Sequence, residues 1–167
     1  MTPPFRVELL SAQHDRAAFA CGEEALDRYL RTQATQDIRR RVASCFVAIE
    51  VATGKLAAYY TIASASIPTP QLPPEMIKRL PRYPALPAVR IGRLAVDLQF
   101  RGRGLGAAML ADAASRTLQA PPAVFALLVD AKNDDAVAFY RRYGFRPLAS
   151  QPRTLFLPMA TAEKILL

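Results

Sequence analysis

The 167 residues, 51% of them hydrophobic and 22% charged, suffice for one ordinary domain with its own core and exclude a disordered chain. No stretch is apolar for long enough to span a bilayer, Met1-Thr2-Pro3-Pro4-Phe5-Arg6 lacks a leader's apolar core, and Cys21 and Cys45 are too few for a disulfide framework and form no CxxC pair for zinc. The expectation is therefore a single cytoplasmic domain, 1–167, without metal, whose formal net charge of +8 favours polyanionic partners such as nucleic acid or a phosphorylated cofactor.

Phe5 to Leu10 alternates and predicts a strand. After Gly22 a helical stretch places Leu26, Tyr29 and Leu30 on one face and arginines on the other, and runs, with a break, to about Arg41. Ser44 to Glu50 and Leu56 to Ile67 predict strands joined by a turn at Thr53-Gly54-Lys55. Seven prolines between Pro68 and Pro87 predict a surface excursion, with one helical turn at Pro74 to Arg79. A loop of that length suits a wall of a substrate cleft. Val89 to Val96 predicts a central strand whose phase slips around Gly92-Arg93, as in a β-bulge. Helix is predicted from Gly104 to about Leu118, strand from Val124 to Val129, and helix from Asp134 to Tyr143, ended by Gly144 in a left-handed cap. Short strands at 145–148 and 154–157 and a helix from Ala160 complete the chain. This order predicts an α/β fold with a partly parallel sheet.

The loop Arg101-Gly102-Arg103-Gly104-Leu105-Gly106 lies between a strand and a helix. The first N–H groups of a helix lack internal acceptors, the helix dipole makes that end positive, and glycines let a pyrophosphate reach the backbone. Arg101 and Arg103 can add charge-assisted bonds to phosphate oxygens. The spacing is neither G-x-G-x-x-G nor the Walker pattern.

The loop resembles the acetyl-CoA loop of the GNAT acetyltransferase superfamily, Gln/Arg-x-x-Gly-x-Gly/Ala, at Arg101, Gly104 and Gly106. A second resemblance lies in Asn133-Asp134-Asp135-Ala136-Val137-Ala138-Phe139-Tyr140 followed by Tyr143-Gly144-Phe145. The resemblance implies a mixed sheet splayed between its fourth and fifth strands and flanked by helices. Acetyl-CoA would be the acetyl donor, with Leu94, Ala95 and Val96 binding the pantetheine through their backbones and Gly102, Arg103 and Leu105 completing the pyrophosphate loop. Tyr140 is the candidate proton donor to the departing thiolate, because a phenol with a pKa of about 10 is protonated at neutral pH; a core aromatic is the competing role. Two roles fit Asn133: helix cap, or ligand of the pantetheine amides.

No general base stands out. Glu50 and Asp130 read as ordinary surface charges, and His14, the one histidine, as a solvated turn residue. That suits an α-amine, which titrates near about 7.7–8.0, better than a lysine at about 10.4.

Cys21 to Leu30, Tyr59 to Ala63, Gly92 to Asp97 and Arg153 to Pro158 are similar to the GNAT-type toxins of bacterial toxin–antitoxin systems. The similarity implies acetylation of the α-amine of aminoacyl-tRNA, a block of translation, and a ribbon-helix-helix antitoxin as partner. Arg28, Arg31, Arg39, Arg40 and Arg41, with Lys78, Arg79, Arg82, Arg90 and Arg93, are the candidate tRNA contacts. Acetylation of a small amine or a protein N-terminus is the alternative. A homodimer is expected from family analogy and the apolar Ile165-Leu166-Leu167.

Overall fold

The computed structural model describes residues 3–167; Met1 and Thr2, part of the N-terminal run read for a leader, lie outside them. In chain order the elements are β1 (Phe5–Leu9), α1 (Glu24–Thr32), α2 (Ala34–Arg39), β2 (Ser44–Glu50), β3 (Leu56–Pro68), α3 (Pro74–Ile77) and β4 (Ala85–Val96). Then come α4 (Leu105–Gln119), β5 (Ala126–Asp130), α5 (Asp134–Arg142), β6 (Arg146–Leu148), β7 (Gln151–Pro158) and α6 (Met159–Ile165). The strands form one mixed sheet in the order β1-β2-β3-β4-β5-β7-β6, with β4 and β5 parallel. No helix among the described residues is long and apolar enough to cross a membrane.

Two compact units share the chain. One takes the residues up to Ala63 with Gly92–Asp112. Its core gathers Leu10, Phe19, Leu30, Val47, Leu56 and Ala95. Gly54, at φ +72°, turns β2 into β3, and the antiparallel register then faces Val47 with Tyr59 and Phe46 with Tyr60. Buried Tyr59 meets the Phe19 ring edge-on at 5.6 Å and donates from its hydroxyl to the Leu26 carbonyl, fixing α1 on the sheet. The α1 start is held by the buried Asp27 carboxylate, which accepts from the Cys21 N–H at 2.9 Å.

The other unit takes Ser64–Ile91 and Ala113–Leu167. Ile67, Leu72, Leu86, Leu128, Leu148 and Phe156 form its core. The parallel β4–β5 ladder runs from Ala88↔Ala126 to Ile91↔Val129, one residue short of the end of β5. In α5, Asn133 caps the start, Asp134 and Asp135 lie in the first turn, Arg141 and Arg142 in the last, and Gly144 follows at φ +93°; every helix-end signal agrees.

Two expectations need correction. The proline-rich excursion is shorter than read, because Pro68 ends β3 and Pro87 lies inside β4. Pro87 lacks a donor, but its carbonyl accepts from the Phe125 N–H at 2.9 Å, and its side chain is exposed. The phase slip in β4 lies between buried Ala88 and buried Ile91, before Gly92. Val89 and Leu94, taken as inward, are half-buried, whereas the small Ala88 and Ala95 are core. Gly92 serves close packing: a Cβ there would stand 3.2 Å from Thr61 Oγ1.

Candidate active site

The phosphate loop has the shape its glycines suggested. Gly102 and Gly104 lie at φ +78° and +74°, in the left-handed region that a side-chain-bearing residue enters at a cost. A Cβ at either would meet nothing within 4 Å, so the concavity is open to a ligand. From Leu105 the backbone is helical, and the Gly104 carbonyl accepts the Ala108 N–H at 3.1 Å. The first-turn N–H groups are thereby left for an outside acceptor. The loop fits a pyrophosphate on backbone donors.

Its two arginines are already engaged. Arg101 donates from Nη2 to the Cys21 carbonyl at 2.5 Å, and Arg103 pairs with Glu50 at 3.4 Å with its guanidinium 5.4 Å from the Phe100 ring centre. The stem of the loop is tied to the same segment. Asp97 Oδ2 accepts from the Ala20 N–H at 3.0 Å, its Oδ1 accepts from Gln99, and the Ala20 carbonyl accepts from Leu98. Asp97 is thus a buried structural carboxylate. Leu94 and Val96 are half-buried and Ala95 is buried in the unit's core.

In the second unit, α5 carries Asn133 and Tyr140. The Asn133 Oδ1 accepts from the Ala136 N–H at 2.9 Å, so its carbonyl end serves the cap and its amide N–H groups take no part in that bond. Tyr140 is 7% exposed, with its ring edge-on to Phe139 at 5.3 Å and Phe145 at 5.4 Å. Its hydroxyl makes no hydrogen bond with any described residue. Burial, aided by the Asp130 carboxylate, pushes its pKa up to about 12. The group is a phenol kept protonated and left with a donor to give.

The carboxylates and the histidine read as solvated are paired instead. His14 is only 11% exposed at its side chain. Its Nδ1 accepts from the Ser11 N–H at 2.9 Å, so the ring proton sits on Nε2, which donates to Glu8 at 3.0 Å. That bond holds the Glu8 carboxyl below the usual carboxylate range. Glu50 pairs with Arg103 and accepts from Thr53; Asp130 pairs with Arg90 and accepts from Thr154. The two arginine pairs were not legible, because 40 and 53 residues separate Arg90 from Asp130 and Glu50 from Arg103, whereas Glu8 lies six residues before His14.

The candidate RNA contacts sort by unit. In the first, Arg28 and Arg93 line one open cavity, Arg31 pairs with Glu24 at 3.3 Å, and Arg39, Arg40 and Arg41 are exposed at the end of α2. In the second, Lys78 and Arg79 are exposed after α3 and Arg90 is tied to Asp130. Tyr29, read only as a core position, carries the Arg93 guanidinium 3.5 Å from its ring centre. Its helical spacing with Leu26 and Leu30 hid that second use.

A loop open to pyrophosphate and a phenol held protonated are what transfer from an acyl thioester asks of a protein, and the model of the Acetyltransferase (GNAT) domain matches residues 79–161. The chain is 33% identical over 159 residues, covering 94% of it and 93% of the relative, to a tRNA-acetylating toxin of Mycobacterium tuberculosis. Its fold superposes on AtaT complexed with acetyl-methionyl-tRNAfMet with a TM-score of 0.86, at 30% identity and over 98% of this chain and 99% of that one. A Tyr-to-Phe variant of AtaT, bound to the C-terminus of the antitoxin AtaR and to acetyl-CoA, matches with a TM-score of 0.79 at 27% identity over 97% and 98%. The chain belongs to the GNAT acetyltransferases, in the family of tRNA-acetylating toxins.

Proposed function

We propose that this enzyme moves the acetyl group of acetyl-CoA onto the α-amine of an aminoacyl-tRNA in the cytoplasm, blocking translation unless a ribbon-helix-helix antitoxin holds it. One observation carries the reading: the similarity to the tRNA-acetylating toxin spans 94% of this chain, so it takes in α1 and the proline-rich excursion as well as the cofactor loop.

Acetyl-CoA supplies the activated acyl thioester. Gly102, Gly104 and the first-turn N–H groups of Leu105 and Gly106 hold its pyrophosphate, with Arg103 at the rim and Arg101 bracing the loop from behind. Backbone groups of Leu94, Ala95 and Val96 receive the pantetheine as an added strand. Asn133 caps α5 and offers its remaining amide N–H groups. As the amine nitrogen bonds the acyl carbon and the C–S bond breaks, Tyr140 would give its proton to the departing thiolate, and the proton shed by the nitrogen would restore the phenol through solvent. β4 carries no carboxylate, and Asp97, at its end, is consumed in structural bonds. An α-amine, about half or more of it neutral at pH 8, reacts without a strong base, whereas a lysine would need one. The exposed Ile165 and Leu167 on the C-terminal run support a homodimer, to be checked by light scattering against the 18.3 kDa chain mass.

The deciding experiment incubates the purified enzyme with labelled acetyl-CoA and a full set of charged tRNAs. N-acetyl-aminoacyl-tRNA is the expected product. Ready acetylation of free amines or peptides beside untouched charged tRNAs would overturn the reading.

A further inference from the structure

One face of α1 has a property that its packing does not require. Ala25, Leu26, Arg28 and Tyr29 of α1, with Arg93 of β4, line an open cavity of about 330 Å³. Three arginines of this unit are ion-paired: Arg6 with Glu8, Arg31 with Glu24, and Arg103 with Glu50. Arg28 and Arg93 form no ion pair with any described residue.

Arg93 is nevertheless held still. Its guanidinium lies over the Tyr29 ring at 3.5 Å. The Tyr29 hydroxyl donates to Asp37 Oδ2 at 2.7 Å, and Gln33 Nε2 donates to Asp37 Oδ1 at 3.0 Å. The Gln33 amide is thereby engaged, and so is Thr32, whose hydroxyl donates to the Arg28 carbonyl at 2.8 Å. The charged donors still to be used are the two guanidiniums. Asp37 lies near enough to Arg93 to be stabilised by it, yet its oxygens are taken by Tyr29 and Gln33. A guanidinium fixed by an aromatic platform and unmatched by a carboxylate is pre-organised for an anion brought from outside.

From this geometry we infer that the cavity is a phosphodiester subsite for single-stranded RNA, in which Arg28 and Arg93 share one phosphate and the apolar wall of Ala25, Leu26 and Tyr29 takes the attached nucleoside. The inference rests on the proposed RNA acceptor and names where its single strand is gripped. The planar fork suits phosphate oxygens, and aromatic and guanidinium planes are the surfaces on which unpaired bases stack. The volume admits about one nucleotide, so the subsite reads backbone and stacking more than base identity.

The test is binding of a short unmodified single-stranded RNA to the full chain across salt concentrations. It compares the native protein with Arg28→Gln/Arg93→Gln and with Arg153→Gln, which removes a charge paired with Asp134 elsewhere. Neutralising one single-strand phosphate contributes about 0.7 to the slope of log K on log salt. The double variant should lose about that much slope and bind at least tenfold more weakly at low salt, while Arg153→Gln and acetyl-CoA affinity stay within twofold of native. Arg93→Lys should restore less than half of the lost affinity. An unchanged slope in the folded double variant, an equal loss in Arg153→Gln, or a loss confined to acetyl-CoA, whose own phosphates are the other source of such an anion, would each overturn the subsite. RNA binding is read without turnover, so failure to acetylate charged tRNA would strike the proposed function and leave this result standing.

Discussion

Arg101 Nη2 donates to the Cys21 carbonyl at 2.5 Å, across 80 residues of sequence. This arginine, read from the sequence as a phosphate contact, braces the chain just ahead of α1, alongside the bonds that Asp97 and Leu98 make to Ala20. Arg101→Ala should lower stability by about 1–2 kcal/mol, the scale of a hydrogen bond from a charged donor at a partly exposed site. Arg101→Lys should recover part of it. Urea unfolding with and without acetyl-CoA checks this; a variant of native stability that has lost acetyl-CoA affinity would return Arg101 to the phosphate.

Gly104 and Gly54 make a matched pair. Both lie near φ +73° on average, at +74° and +72°, and a Cβ on either meets nothing within 4 Å. Alanine at each should therefore cost a similar strain, about 1–2 kcal/mol. Only Gly104→Ala should also weaken acetyl-CoA binding, by tenfold or more, because its methyl enters the pyrophosphate cradle. Isothermal titration on both variants decides it, and equal affinities would remove Gly104 from the cradle.

Tyr140→Phe should leave the fold and acetyl-CoA affinity within about twofold of native and lower turnover by roughly 10²–10⁴-fold, the usual worth of a general acid. The same phenol has a signature in stability. Its pKa is about 12 in the folded chain and about 10 unfolded, so the folded state holds the proton more tightly. The resulting stabilisation is complete below about pH 10 and is lost as pH rises to about 12. Buried Tyr29 and Tyr59 are raised too, so the native chain should weaken steeply over that window, and Tyr140→Phe less steeply. Parallel urea curves for the two proteins from pH 9 to 12, with no difference in slope against pH, would contradict a buried neutral phenol.

What could be read from the residues was local. Asn133, the acidic first turn and Gly144 bound α5 to within a residue, because caps act over three or four positions. The glycine loop was legible because left-handed backbone demands its residue type. Pairings of distant charges were not. Nothing near Arg90 announces Asp130 as its partner, and nothing near Arg101 announces Cys21, since 40 and 80 residues separate them and only the fold brings them together. The core of β4 was misread for a related reason: the small Ala88 and Ala95 are buried, and apolar size alone favoured Val89 and Leu94, which are half-buried.

Asn133→Ala should cost about 1 kcal/mol, the usual worth of an N-cap, because the Ala136 N–H loses its acceptor. Asn133→Asp keeps the acceptor and adds a charge favoured by the helix dipole, so it should match or exceed native stability. Thermal unfolding of the two variants separates them; equal losses in both would mean that the side chain stabilises by something other than the cap.

Cys21 and Cys45 are 2% and 1% exposed, so neither sulfur is open to a reagent in the closed fold, and burial pushes the Cys45 thiol up to about 12. A thiol reagent must therefore wait for the protein to open. Cys45 lies within β2, while Cys21 belongs to the segment that Arg101 and Asp97 secure. The two positions are built-in clocks for two different openings, and residue-resolved labelling would time the release of the latch ahead of α1 separately from the melting of the sheet.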